Sequence, residues 1–159
     1  MSFEVYDEFP DILQEENKKE LEKILYELNR ELIDALQYND TKKALEAIKR
    51  GADVNVRGRY DWPAISHAVY ARNYPVLEAL LHRGADPNIR NPDGSTPLHI
   101  AAMLNDPYAA LLLICYGANP NIKDQYGKAP IDYVTSDKLK EILENVRKYG
   151  RDMYCNNEY

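Results

Sequence analysis

Gly51-Ala52-Asp53-Val54-Asn55 is followed 33 residues later by Gly84-Ala85-Asp86-Pro87-Asn88, and 33 residues after that by Gly117-Ala118-Asn119-Pro120-Asn121. Self-similarity at a fixed period of this length indicates stacked supersecondary units, each of which buries its apolar face against its neighbours. The first question for this chain is therefore which surface the stack presents.

The residues between the copies predict two helices per unit. Asp93–Ala102 has the pattern of a turn followed by a helix start, with Gly94 where the turn needs a positive φ and Pro97 in the first helical turn. Asp106-Pro107 then opens a second helix as an N-cap residue followed by proline. Gly117 ends that helix as a C-terminal cap.

This unit resembles the ankyrin repeat, whose signature is a Gly-x-Thr-Pro-Leu-His turn and helix, a second helix, and Gly-Ala-Asp-x-Asn. The resemblance covers roughly residues 30–146 and is most specific in residues 90–122. It implies an all-α solenoid of stacked helix-turn-helix units joined by short β-hairpin-like turns.

The period divides the chain into six segments. The closing repeat is shortened by about three residues near Ser136-Asp137, because its apolar positions arrive early. The segments are an acidic-aromatic N-terminal extension at 1–17, a capping repeat at 18–56, full repeats at 57–89 and 90–122, a closing repeat at 123–149 and a flexible C-terminal tail at 150–159.

The N-terminal extension matches no repeat. Its apolar residues Phe9, Ile12 and Leu13 allow a short amphipathic helix from Pro10. Asn17, with Glu three residues later, resembles a capping box and predicts that the next helix begins at about residue 18 and runs to about residue 38. Apolar residues follow one stripe along that helix: Leu21, Ile24, Leu25, Leu28 and Leu32.

Three roles for the extension stay open on sequence alone. It could cover the open end of the solenoid, which is the favoured interpretation because an uncapped repeat end exposes apolar surface. It could instead dock on a partner or on the chain's own concave face. A dimer through the leucine stripe is the third alternative.

Charge and composition limit the classes of partner. The net charge is −6, and six acids precede the first base, Lys18, so general binding of nucleic acid is disfavoured. Without a run of 18 apolar residues, no membrane span is expected. Cys115 and Cys155 are far apart and match no disulfide framework, which predicts reduced thiols and a cytoplasmic location. We expect a monomer when the chain is free.

The resemblance implies that a partner lies along the turn tips and the first helices. The first residues of the units, Arg57, Arg90 and Lys123, form a cationic row down the tips, and aromatic residues lie beside it. Trp62, the only tryptophan, stands where the next repeat has Ser95. Tryptophan, tyrosine and arginine are enriched at interface hot spots. The candidate binding residues are Arg57, Arg59, Tyr60, Trp62, Tyr70, Arg90, Met103, Leu104, Lys123, Tyr126 and Lys128.

No pattern in the sequence points to catalysis, a metal or a cofactor. His99 is the motif histidine, which implies a structural role, and His67 is expected to be buried or half-buried. His82 and Cys115 occupy equivalent positions in adjacent units, but two ligands are too few for zinc. Some animal ankyrin proteins are hydroxylated at the position of Asn55, Asn88 and Asn121; use of these side chains in turn hydrogen bonds is the favoured interpretation.

The sequence therefore predicts a non-enzymatic protein–protein interaction module, or scaffold, that binds a partner protein through its concave face. The alternative is a dedicated enzyme inhibitor, such as a toxin-neutralising immunity protein or antitoxin. The compact size and the acidic end of the chain suit this inhibitor role.

Overall fold

The computed structural model describes residues 11–155, with side chains from residue 14 onward. Two short 3₁₀ turns accompany the helices, at Arg59–Asp61 and Pro130–Tyr133. Within this described part the helices are α1 (Asp11–Gln37), α2 (Thr41–Lys49), α3 (Ala64–Tyr70), α4 (Tyr74–His82), α5 (Pro97–Met103), α6 (Pro107–Cys115) and α7 (Asp137–Tyr149). None of them combines the length and apolar character needed to cross a membrane.

Each unit has a first helix directly after the turn and a second helix packed behind it. In the closing unit the first helix is reduced to the 3₁₀ turn at Pro130–Tyr133. The second helices begin at a side-chain cap: Asp40, Asn73 and Asp106 each accept a hydrogen bond from the backbone N–H three residues later. They end at the Gly-Ala motif, where Gly51 has φ 106°, a conformation that glycine adopts without strain. These local signals are why the helices are short and regularly spaced.

The core is one continuous apolar layer between successive helix pairs. The largest fully buried side chains come from every unit and belong to one cluster, so each repeat buries its apolar face against its neighbours. The predicted all-α repeat solenoid is confirmed. Representative core side chains are Leu32, Ile65, Leu77, Leu80, Leu98, Leu113, Leu139 and Leu143.

The turns between units are hairpin-like, as expected. Arg57 and Pro63 form an isolated antiparallel bridge in the first turn. In the next two turns the N–H of Asn91 donates to the carbonyl of Ser95, and that of Asp124 donates to the carbonyl of Lys128. The turns therefore stack in register, one repeat apart.

Asparagine side chains connect the Gly-Ala motifs of adjacent units. The Oδ1 atoms of Asn29, Asn55 and Asn88 each accept a hydrogen bond from a backbone N–H of the following motif, at 2.7, 2.9 and 2.7 Å. Asn121 ends the series by accepting from Nε of Arg147 at 2.9 Å. The expected use in turn hydrogen bonds is confirmed for Asn55 and Asn88, whereas the Asn121 side chain binds Arg147 instead.

The first helix begins earlier than the sequence predicted. Asn17 does not start a helix but lies inside α1, which runs without a break from Asp11. The residues around it include Glu15, Glu16 and Lys18, which all favour helix, so the helix continues through Asn17. The side chains from residue 14 to residue 27 are all exposed, so this half of α1 extends beyond the stack. The earlier part of the extension, residues 1–10, lies outside the described residues.

The two cysteines are not free, contrary to expectation. Cys115, the last residue of α6, forms a disulfide with Cys155, and their Cα atoms are 5.4 Å apart. The segment expected to be a flexible tail turns back after α7: Tyr154 packs against the core, and Nη1 of Arg151 donates to the carbonyl of Cys115 at 3.1 Å. The separation of 40 positions along the chain conceals this proximity in the sequence.

The first prediction tests the stack. Leu113→Ala should lower the free energy of unfolding by about 2–5 kcal/mol, because it leaves a cavity at a fully buried position of α6. Chemical unfolding measures this, with Leu21→Ala on the exposed half of α1 as the control that should change little. A loss below about 1 kcal/mol would contradict the burial of Leu113.

The second prediction tests the disulfide. Cys155→Ser should destabilise the fold by about 2–4 kcal/mol, because the unfolded chain is no longer constrained by a closed loop. Reducing the parent protein with dithiothreitol should produce the same shift in melting temperature. If the parent melts identically with and without reductant, and alkylation finds two free thiols, the pairing is wrong.

Candidate functional site

A hollow of about 520 Å³ opens between the end of α1, the first turn and α3. We call it the aromatic hollow, because three of its lining residues are Tyr60, Trp62 and Tyr70. Four predicted binding residues, Arg59 and these three aromatics, therefore meet in one place. The complete lining is Leu36, Gln37, Asn39, Arg59, Tyr60, Trp62, His67, Tyr70 and Ala71.

Trp62 forms the wall of this hollow. Its indole lies with ring centroids 5.7 Å from both His67 and Tyr70, the latter edge-on. The side chain is half-buried and packs against the core, so it is not the fully solvent-facing tip that the sequence suggested. By contrast, Tyr60 is 72% exposed and Tyr70 is 63% exposed, which leaves their rings free to contact another molecule.

The first turn holds two non-glycine residues in the left-handed region. Tyr60 has φ 61° and Asp61 has φ 58°, whereas the equivalent of Asp61 in the next turn is Gly94, with φ 80°. A side chain in this conformation costs on the order of 1 kcal/mol or more, and such strain is often found at functional sites. The strain presents Tyr60 at the mouth of the aromatic hollow, with the guanidinium of Arg59 5.0 Å from its ring centroid.

A second hollow of about 580 Å³ adjoins the first on the side of α1. We call it the arginine hollow, since it is lined by Arg30, Arg57 and Arg59. Gln37 and Arg59 line both hollows, so the two lie side by side. The other lining residues of the arginine hollow are Ile33, Asp34 and Gly58.

Two residues of the predicted cationic row, Arg57 and Arg90, form hydrogen bonds between neighbouring turns. Nη1 of Arg57 donates to the carbonyls of Asp61 and Arg90, both at 3.0 Å. Nη1 of Arg90 does the same in the next unit, at 3.2 Å to Gly94 and 3.0 Å to Lys123. These arginines thus join consecutive turns, and charge reversal at either would disturb the stack as well as the surface charge.

The last turn is held by a buried carboxylate. Asp124 accepts hydrogen bonds from the backbone N–H groups of Tyr126 and Lys128 and from the hydroxyl of Tyr133. Burial raises the pKa of Asp124, but these hydrogen bonds outweigh burial and lower it, while the bond to Asp124 raises the pKa of Tyr133 to about 12. The carbonyl of Lys128 also accepts from Nε2 of the buried His99, which confirms the structural role of that histidine.

The remaining predicted residues lie away from the two hollows. Met103 is exposed at the end of α5, and the carbonyl of Leu104 accepts a hydrogen bond from Arg72 at 3.1 Å. The sequence missed Gln37 and Arg30 as lining residues. Gln37 is 66 residues before Met103, so the period itself could have located it. Arg30 has no such signal, because in the capping unit α1 continues where the other units have a turn.

No group of three or more histidine, cysteine or acidic side chains is placed to hold a metal ion within residues 11–155. Cys115 is bonded to Cys155, so it offers no thiolate beside His82. The chemistry that the described surface offers is recognition by aromatic faces and guanidinium groups.

His67 is a half-buried histidine that lines the aromatic hollow. Its Nε2 has no hydrogen-bond partner among the described residues, and it lies beside Gly58, where an added Cβ would be 3.5 Å away. Burial lowers the pKa of His67, against an opposing hydrogen bond to the backbone of Arg59. The neutral ring is therefore the form that this packing favours.

Comparison with known families gives one match. A family model described as ankyrin repeats, in three copies, matches residues 32–124, which is more than half of the chain. A search of the curated proteins found none that matches it.

The third prediction concerns acid stability. Because the folded state lowers the pKa of His67, the unfolded chain binds a proton more readily, and stability should fall as the pH drops below about 6.5. His67→Phe keeps a ring beside Trp62 but cannot titrate, so its unfolding free energy should depend less steeply on pH between 7.5 and 5.5.

Denaturant unfolding at these two pH values measures the effect. His82→Gln is the matched control, because His82 is exposed at the end of α4, and it should keep the parent's pH dependence. Equal acid sensitivity of His67→Phe and the parent would contradict the assignment.

Proposed function

The chain belongs to the ankyrin-repeat family, whose members generally bind other proteins, and we propose that it is a non-enzymatic module that binds a partner protein through the concave side of its first full repeat. The contact we propose centres on the aromatic hollow. The observation that carries the proposal is the meeting of Tyr60, Trp62 and Tyr70 at a strained turn.

The composition of this surface supports a protein partner. Tyrosine, tryptophan and arginine dominate interface hot spots because they combine large contact area with a polar group. The exposed rings of Tyr60 and Tyr70 gain little from the fold itself, since 72% and 63% of their surface faces solvent. The net charge of −6 makes nucleic acid an unfavourable partner.

The mechanism we propose is binding by a preformed surface. The turns are joined by the Arg57 and Arg90 hydrogen bonds, and Trp62 is fixed by its contacts with His67 and Tyr70. A surface that is already ordered loses little conformational entropy on association, so more of the contact energy contributes to affinity. The proposed mechanism is non-covalent binding.

The disulfide between Cys115 and Cys155 bears on the cellular location. A cytoplasmic location was expected because both cysteines were predicted to be reduced, and the disulfide removes that argument. Disulfides persist mainly in oxidising compartments. The cytoplasmic location and the monomeric free state remain predictions.

The fourth prediction tests the binding surface. Tyr60→Ala should weaken partner binding by about 2 kcal/mol if the residue is a hot spot, with little effect on melting, because its ring is mostly exposed. Trp62→Ala should also weaken binding but should lower the melting temperature, since its indole is half-buried.

Tyr126→Ala is the comparison, because Tyr126 is a predicted binding residue that lies outside both hollows and is 69% exposed at the equivalent position of the last turn. The partner is first captured with the parent protein from native material and identified by mass spectrometry. Each variant is then titrated against the purified partner. If Tyr60→Ala and Trp62→Ala bind like Tyr126→Ala, the aromatic hollow is not the contact.

A further inference from the structure

The aromatic hollow and the arginine hollow lie side by side and share two lining residues, Gln37 and Arg59. We call the pair the groove, and its two ends differ in chemistry. One end offers the faces of Trp62 and Tyr70, and the other offers Arg30 and Arg57. A ligand that fills this groove must present apolar surface and negative charge close together.

The guanidinium groups of the groove lack carboxylate partners within the described part of the chain. None of Arg30, Arg57 and Arg59 has a carboxylate oxygen within 4.0 Å, and the ion pair found there is Arg50 with Glu31. Asp34 lines the arginine hollow but does not reach that distance. Three arginines and one aspartate leave this end of the groove with a net positive charge, on a chain whose overall charge is −6.

Neutral groups supply the hydrogen-bond and ring contacts of these arginines, and Asp34 acts on Arg30 only from beyond ion-pair distance. Nη1 of Arg57 is used by the two turn carbonyls, and Nη1 of Arg30 donates to the hydroxyl of Tyr26 at 3.4 Å. Arg59 lies against the ring of Tyr60. Guanidinium groups held in this way can accept a carboxylate with little further ordering.

From this groove we infer the chemistry of the partner, an inference that rests on the proposed function. We propose that the groove binds an extended acidic segment of another protein that carries an aromatic side chain. The aromatic side chain fills the aromatic hollow against Trp62 and Tyr70. Carboxylates that flank it in the segment pair with Arg59 and Arg30.

Residues 1–10 of the chain have this composition as well, so a copy of this chain is a rival occupant of the groove, which the test below distinguishes.

The single tryptophan of the chain gives a direct readout of occupancy. Trp62 lines the aromatic hollow, so its fluorescence should change when an aromatic side chain enters. The probe is an acetylated and amidated peptide, Glu-Asp-Phe-Glu-Asp, which contains no competing indole or phenol. Two matched peptides serve as controls: Gln-Asn-Phe-Gln-Asn, which lacks the charges, and Glu-Asp-Ala-Glu-Asp, which lacks the ring.

We expect the acidic phenylalanine peptide to bind at least about tenfold more tightly than the alanine peptide. It should also bind several-fold more tightly than the uncharged peptide, with a difference that shrinks as salt rises. Arg59→Gln and Arg30→Gln should each weaken it by about two- to fivefold, as for exposed charge pairs.

Arg83→Gln is the control for these variants, because Arg83 is exposed and lines neither hollow. It should leave the affinity unchanged. Equal binding of the charged and uncharged peptides, or equal loss in Arg59→Gln and Arg83→Gln, overturns the proposal. If the peptides fail while Tyr60→Ala still weakens the captured partner, the proposed function stands and this inference falls.

A full-length variant with Phe3, Tyr6 and Phe9 replaced by serine tests the second copy. On our proposal it binds the peptide as the parent does and has the same mass by sedimentation. If the parent sediments as a dimer, and the variant is a monomer that binds the peptide more tightly, the groove belongs to a second copy and the proposal is overturned.

Discussion

The asparagine at the end of each Gly-Ala motif fixes the spacing of the whole stack. Asn55 and Asn88 each place a side-chain oxygen on a backbone N–H of the next unit, and Asn29 begins the same series from α1. Such a bond forms only when consecutive units have the same rise and rotation. The turn tips are consequently stacked in register, which allows Arg57 to reach the carbonyl of Arg90. The groove therefore rests on a rigid series of polar contacts behind it.

Most of the fold could be predicted because each unit carries its own local signals. Caps such as Asp106, glycines such as Gly117 and buried leucines such as Leu113 act over a few residues, and the period repeats them. The same period assigned Arg59, Tyr60, Trp62 and Tyr70 to one surface, and in the structure these four residues line a single hollow. The sequence therefore predicts which residues share a surface wherever the repeat is regular.

The features that the sequence did not reveal lie between segments that the period does not relate. Cys155 meets Cys115 only because the chain turns back after α7, and no repeat predicts that return. Arg30 lies inside the helix that the sequence predicted, but the period does not place it in the groove, because in the capping unit this helix continues where the other units have a turn. His67 lies beside Gly58, a contact between a helix and a turn that spacing alone does not specify. These are tertiary contacts, and they override local preferences.

The departures from the repeat gather at one turn, and their combined effect argues for binding. In the second turn, the N–H and hydroxyl of Ser95 donate to Asp93, and Gly94 adopts its positive φ without strain. In the first turn, these slots hold Tyr60, Asp61 and Trp62, which replace the hydrogen bonds and the unstrained glycine with two left-handed residues, the exposed ring of Tyr60 and the half-buried ring of Trp62. The two left-handed residues cost stability within the fold, and natural chains depart from local rules in this way mainly at functional sites. Because Tyr60 and Trp62 also line the aromatic hollow, the proposed contact with a partner would recover that energy at the place where it is lost.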